Sequence, residues 1–142
     1  MTIVLKTAEQ ALAFIQDALP AIDHHGEEFS RIEPGKIEMR VPYRDDNYKN
    51  GVFSGPLTMG LCDTAMYVTA YTLEDSEGRA VMADFNIQFK ALIPEGDIVI
   101  LTEADVRKGR SIPLSAKVMN AEKTTVYCTC TSRYVLINQG SR

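Results

Sequence analysis

The sequence predicts an α+β fold in which a curled antiparallel sheet of about five to six strands wraps around one long central helix. Residues 54–73, SGPLTMGLCDTAMYVTAYTL, form a nearly uncharged run with a single charged side chain, Asp63, near its middle. Segments with strand-type alternation precede and follow that run. Short turns rich in Pro, Gly and charged residues join the strands, so successive strands run antiparallel. Such a sheet has one apolar face to cover, and one long helix covers it if the sheet curls around the helix. That accounts for a helix apolar on nearly every side. A helix held by a sheet on one side still leaves surface to bury, so a homodimer is expected on physical grounds.

In chain order, residues 7–19 read as an amphipathic helix. Thr7 is placed to cap it, Glu9 and Gln10 fall in the first turn, Ala11, Leu12, Ile15 and Leu19 recur at helical spacing, and Pro20 ends it. His24-His25-Gly26 follows as a turn. Adjacent histidines point different ways, and no third ligand type sits at a suitable spacing, so a plain turn is favoured over a metal site. Residues 27–42 form a hairpin about Glu33-Pro34-Gly35-Lys36, with Ile37, Met39 and Val41 on one side and Lys36, Glu38 and Arg40 on the other. Residues 43–52, YRDDNYKNGV, are a polar loop without periodicity. A loop leading directly into a buried helix start is a common place for binding residues.

Gly55-Pro56 marks the start of the central helix, since proline is favoured in the first turn, and the helix is expected over residues 56–73. Glu74-Asp75-Ser76-Glu77-Gly78 stops it. Strands are then expected over 79–93, from the alternation of Phe85, Ile87 and Phe89 with Asn86, Gln88 and Lys90, and over 98–106, 112–120 and 124–138. Pro94-Glu95-Gly96-Asp97, Arg107-Lys108-Gly109-Arg110 and Ala121-Glu122-Lys123 supply the turns between them. No repeat or low-complexity segment breaks the chain, so residues 1–142 read as one domain.

Composition narrows the function classes. The 142 residues are 45% hydrophobic and 24% charged, ordinary values for a globular protein. A net charge of −4 argues against nonspecific nucleic-acid binding by electrostatics alone. A bilayer span needs about 20 predominantly apolar residues. The central run instead opens with Gly-Pro and contains Asp63 and four threonines, so no membrane role is expected. Cys62, Cys128 and Cys130 are odd in number and lack zinc spacing, and the N-terminus shows no basic leader. Both features point to a reduced, cytoplasmic setting.

Asp63 is the first candidate for chemistry. A carboxylate on an apolar helix must be paired, hydrogen-bonded or used, because taking it out of water unpartnered costs several kcal/mol. Its neighbours Leu61, Cys62, Ala65 and Met66 favour a functional carboxylate over a solvated one. Cys62 has no histidine beside it and reads as a small buried hydrophobe. Tyr67 and Tyr71, four apart on the helix, fit either an acyl pocket or core packing. For Arg107-Lys108-Gly109-Arg110 a solvated turn is the default.

The segments SGPLTMGLCDTAMYVTA, ADFNIQFKALIPEGD and ADVRKGRSIPLSAKV resemble the hotdog fold, and within it the acyl-CoA thioesterases of the phenylacetate-pathway (PaaI-like) group. The resemblance runs from residue 47 to the C-terminus: a Gly at the helix start, an Asp eight residues later, an Asp-Xaa-Asn-Ile-Xaa-Phe strand and an Arg-Xaa-Gly-Arg turn, in that order. It implies a thioesterase acting on a small or medium acyl-CoA, aromatic ones included, with coenzyme A entering only as part of the substrate and no metal or other cofactor.

In such enzymes the helix carboxylate, here Asp63, is general base or nucleophile. The Gly55 N–H, at the positive end of the helix dipole, polarises the thioester carbonyl. The resemblance also places the site between the two subunits of a homodimer, alone or in a dimer of dimers, with Tyr67, Tyr71, Phe85 and Met82 toward the acyl group. Arg107, Lys108 and Arg110 would meet the coenzyme A phosphates, and Gly109 would let that turn approach closely.

Three positions depart from the pattern or leave it open. Ser54 stands where many relatives carry a histidine, and Met82 where many carry a hydroxyl that holds the lytic water. Asn47 and Asn50 both qualify as the loop asparagine. The alternative reading is a non-catalytic acyl-CoA-binding hotdog protein. A hotdog hydratase would need an Asp-His pair in the loop before the helix, and neither histidine lies there.

Overall fold

The computed structural model describes residues 4–18, 25–49, 51–73 and 79–137. The turn expected over residues 74–78, the end of the first helix at Leu19 and Pro20, His24 and Asn50 lie outside the described residues.

Helix α1 (Ala8–Ala18) opens with a reciprocal cap. Thr7 Oγ1 accepts from the Gln10 N–H at 3.1 Å, and Gln10 Oε1 accepts from the N–H groups of Lys6 at 2.8 Å and Thr7 at 3.2 Å. Its Ala11 and Ile15 are buried. The hairpin of β1 (Glu28–Glu33) and β2 (Lys36–Val41) follows, with Ile37, Met39 and Val41 turned into the core as their alternation predicts.

The stretch 43–52 has more order than the sequence suggests. It holds a 3-10 turn (Asp45–Asn47) and a small hairpin of β3 (Tyr48–Lys49) and β4 (Val52–Phe53). Helix α2 (Gly55–Ala70) starts one residue earlier than expected and ends sooner. Tyr71 and Thr72 close it with tight N–H bonds to the Val68 and Thr69 carbonyls. Strands β5 (Arg79–Phe89), β6 (Ile98–Ala104), β7 (Ser111–Asn120) and β8 (Val126–Ile137) complete the chain.

The six long strands form one antiparallel sheet in the order β1-β2-β6-β7-β8-β5. One expectation is corrected here, because β5 and β6 are successive in sequence but not neighbours. β5 pairs only with β8, and β6 lies between β2 and β7. The connection at 90–97 does not fold back as a hairpin but crosses the end of α2, and hydrogen bonds hold it there. Phe53 N–H donates to Ile93 O at 3.2 Å, Gly96 N–H to Tyr48 Oη at 3.1 Å, and Tyr43 N–H to Asp97 Oδ1 at 2.7 Å. Polar turn residues at 94–97 mark the end of a strand without specifying which strand is its partner.

The inner face of the sheet is built in cross-strand rows. Ile37, Thr102, Ala116, Cys130 and Ile87 make one, and Met39, Ile100, Val118, Cys128 and Phe89 the next. α2 lies against these rows and is buried over most of its circumference, which leaves one stripe toward solvent. That stripe is Pro56, Met59, Gly60, Asp63 and Tyr67, at the spacing of a single helix face. No helix among the described residues is long and apolar enough to cross a membrane.

Gly35 ties the β1–β2 turn to the far end of α2. Its φ is +74°, its N–H donates to Thr72 Oγ1 at 2.8 Å, and its carbonyl accepts from Ala104 N–H at 2.7 Å. A Cβ there would meet Leu73 Cδ2 at 3.4 Å. Gly35→Ala is therefore expected to lower stability by about 1–2 kcal/mol, the cost of a left-handed non-glycine residue. Urea unfolding measures it, and an unchanged midpoint would show that the turn relaxes at no cost.

Candidate active site on the central helix

Asp63 lies half-buried on the exposed stripe of α2, where its carboxylate finds one strong partner. The Tyr134 hydroxyl, from the inner face of β8, donates to Asp63 Oδ1 and lies 3.1 Å from the Asp63 carbonyl oxygen. Tyr134 is only 1% exposed. Burial pushes the Asp63 carboxyl above the usual carboxylate range, and the Tyr134 hydrogen bond pulls the other way. The Tyr134 phenol is itself raised, first by burial and then by the adjacent carboxylate, so it stays protonated as the donor.

A β-bulge brings Met82 to the same place. The register of β5 against β8 shifts between Met82 and Asp84, so that Met82 pairs with Tyr134 while Asp84 pairs with Arg133 and Phe85 with Ser132. The extra residue, Ala83, reverses the alternation and puts Met82 on the inner face with Phe85. Simple alternation from Phe85, Ile87 and Phe89 places it on the other face. Met82 and Tyr67 thus flank Tyr134, with the Tyr67 and Tyr134 ring centroids 6.3 Å apart.

Tyr71 is placed differently. It is 4% exposed, packs on Phe14 at 4.8 Å between ring centroids, and its hydroxyl accepts from the Ala80 N–H at 3.0 Å. Cys62 is fully buried, and its thiol is raised by a hydrogen bond with Cys130 and by burial, so it is no ready nucleophile.

A second group gathers at the start of α2. Ser54 is the N-cap, accepting from the Leu57 N–H at 3.3 Å, and its own N–H donates to the Asn47 carbonyl at 3.1 Å. The Gly55 N–H donates to no described residue. Beside it lies an apolar cavity of about 490 Å³ lined by Val52, Phe53, Gly55, Phe89, Leu92 and Ile93. Asn47 is 3% exposed, and its Oδ1 lies 3.1 Å from Nδ1 of His25, a residue the sequence gives no functional reading. Only the fold brings positions 25 and 47 together.

The basic residues occupy the β6–β7 connection. Gly109 has φ +62°, Lys108 and Ser111 exchange backbone hydrogen bonds at 2.8 and 2.9 Å, and Arg107 Nε donates to Gly109 O at 2.6 Å. Arg110 Nε donates to Leu136 O at 3.0 Å, which anchors its stem on β8. Among the described residues no cluster of three or more His, Cys, Asp or Glu side chains is placed to hold a metal ion.

The sequence-predicted site residues therefore fall into groups. Asp63, Tyr67 and Met82 meet around Tyr134. Ser54, Gly55 and Asn47 meet at the helix start. Eight residues separate Gly55 from Asp63, about 12 Å along the helix axis. Tyr134 is absent from the sequence-based candidates, because its place in a strand pattern reads only as core.

A six-stranded antiparallel sheet curled around a long helix, with a half-buried carboxylate on the one uncovered stripe of that helix, is the architecture of a hotdog-fold protein. The chain belongs to the thioesterase superfamily, whose family model matches residues 50–127, more than half its length. Solved structures agree on the fold. A thioesterase of Haemophilus influenzae superposes with a TM-score of 0.82 at 18% identity, covering 100% of this chain and 99% of that one. A mutant thioesterase of Pseudomonas aeruginosa gives 0.77 at 11% identity, with 93% and 94% covered. A thioesterase-family protein of Silicibacter pomeroyi gives 0.76 at 17%, with 91% and 97% covered. No curated protein matches the chain in sequence.

The Tyr134–Asp63 pair makes two measurable statements. The hydrogen bond lowers the carboxyl value that burial raises, so Tyr134→Phe is expected to move the Asp63 titration to higher pH, read from its side-chain ¹³C resonance. A shift downward would exclude the pairing. A carboxyl raised in the folded state contributes stability that is complete below its unfolded value and is lost as pH rises through its folded one. Asp63→Asn is therefore expected to melt higher than wild type at neutral pH, with the gap closing as pH falls toward 4.

Proposed function

We propose that the protein hydrolyses acyl-CoA thioesters, with Asp63 as general base or nucleophile and the Gly55 N–H as the oxyanion donor. The observation that carries this reading is a carboxylate kept half-buried on α2, combined with an unused backbone N–H at the start of the same helix beside an apolar cavity. As general base, Asp63 takes a proton from water while the water oxygen attacks the carbonyl carbon. The C–S bond then breaks, and the proton passes to the departing coenzyme A sulfur. Charge developing on the carbonyl oxygen meets the Gly55 N–H and the positive helix end.

The 12 Å between the two groups prevents them from acting on one thioester within one chain. The site is therefore composite, with Asp63 of one copy facing Gly55 of a second copy. Strand β5 offers the means: it is an edge strand of 11 residues whose Val81, Met82 and Phe89 are exposed. A homodimer, or two such dimers together, buries that edge. Arg107, Lys108 and Arg110 then bind the coenzyme A phosphates, with Gly109 allowing close approach. Tyr67, Phe85 and Met82 border the reacting group, and Tyr71 supports them from the core.

The acyl group is small or medium, aromatic ones included, and the setting is cytoplasmic, in keeping with the unpaired Cys62, Cys128 and Cys130. No nucleic acid, membrane or cofactor enters the reaction. A reading as a non-catalytic acyl-CoA-binding protein draws support from Tyr134, whose hydroxyl occupies one oxygen of the Asp63 carboxylate.

Purified protein is expected to release free thiol from at least one acyl-CoA in a panel of short, medium and aryl chains. Asp63→Asn should lose about 10²-fold or more in kcat. Gly55→Pro removes the N–H at a helix position that tolerates proline, after a Ser54 whose ψ of 127° suits a following proline. It should lose about 10²–10³-fold. Wild type and Asp63→Asn equally inert, yet both binding acyl-CoA in a calorimeter, would establish the binding reading instead.

A further inference from the structure

We infer that His25 is a positioning residue of the helix-start site, fixing the Asn47 amide so that its Nδ2 donor faces the bound thioester. The inference rests on the thioesterase reading and adds to it a residue from a turn distant in sequence.

Asn47 is nearly enclosed, at 3% exposure, and its amide offers one acceptor oxygen and two N–H donors. The oxygen lies 3.1 Å from His25 Nδ1. An amide oxygen only accepts, so the imidazole carries its hydrogen on Nδ1 and donates it. The amide nitrogen is buried with no hydrogen-bond partner among the described residues. Buried amide donors are rarely left bare, and one next to a functional element calls for an acceptor arriving from outside.

The geometry is held from both ends. The His25 backbone N–H donates to the carboxylate of Glu27, itself buried at 7% exposure. The Asn47 carbonyl receives the N–H of Ser54, the residue that caps α2 just before Gly55. The amide is thus fixed relative to the Gly55 N–H, and a protonated Nδ1 opposes its reversal, which would set two donors against each other. The acceptor supplied from outside is the thioester carbonyl oxygen, which Asn47 Nδ2 and Gly55 N–H grip together.

Two measurements test this. Nitrogen-15 NMR at about pH 8.5, where an ordinary imidazole is neutral, should find the His25 hydrogen on Nδ1, and a ring protonated on Nε2 overturns the pairing. A double-mutant cycle then reads its use. His25→Leu should lower kcat about tenfold with KM near the wild-type value, as expected for a catalytic donor held out of place. His25→Gln, which keeps an N–H donor, should recover most of that loss. In an Asn47→Ala background His25→Leu should cost nothing more, and equal losses in both backgrounds overturn the role. If wild type hydrolyses no acyl-CoA, the hydrolase reading falls, and the same cycle read on affinity for a non-hydrolysable acyl-CoA thioether still decides. Coupling then supports the pairing, and additivity overturns it.

Discussion

The hydrogen bond from Tyr134 to Asp63 is the interaction on which the site depends. α2 is so fully enclosed by the curled sheet that only one stripe of it reaches solvent, and Asp63 is the one charged group on that stripe. A carboxylate there is partly desolvated, which raises its proton affinity. Without the phenol the group would drift further toward its neutral form. With several donors it would become an inert structural anion. One donor from a buried strand leaves the carboxylate partly satisfied.

Placing that donor is the work of the sheet. Tyr134 belongs to an inward row of β8 with Ser132, Cys130 and Cys128, and its position against α2 follows from the pairing of β8 with β7 and β5. The bulge at Ala83 reverses the alternation at the end of β5 nearest Asp63, and this brings Met82 opposite Tyr134 on the inner face. A polar side chain at 82 would face the same carboxylate. The chain has a thioether there, which offers the carboxylate no hydrogen-bond donor. The single chain thus holds the Asp63 carboxylate and the Gly55 N–H about two turns apart on α2.

Much of this was legible because it is local. An uncharged run with one Asp, a Gly-Pro start and period-two strands are properties of neighbouring residues, and they specify the helix, its carboxylate and the inward faces of β2, β6, β7 and β8. What escaped depends on residues far apart in the chain. Nothing within residues 90–97 indicates that β5 pairs with β8 and leaves β6 to β2. Nothing in a strand pattern announces a bulge at Ala83 when the residues around it alternate acceptably on either face. His25 and Asn47 are 22 residues apart, and their contact exists only because the β1–β2 hairpin and the 43–53 segment converge on the start of α2.

The same enclosure explains why Ser54 can stand at the helix start without a neighbouring histidine. Ser54 has a full structural role: its hydroxyl caps the Leu57 N–H, and its carbonyl receives both the N–H of Thr58 at 3.0 Å and its hydroxyl at 2.8 Å. In all of these bonds a Ser54 oxygen accepts, so its hydroxyl hydrogen is left free to donate. A second unspent donor in this corner is the Asn47 amide, whose main-chain carbonyl accepts from Ser54 while its side-chain nitrogen has no partner among the described residues. The imidazole that a relative carries beside the glycine is absent from that position. Here the His25 imidazole sits on the far side of the amide, with its Nδ1 3.1 Å from Asn47 Oδ1.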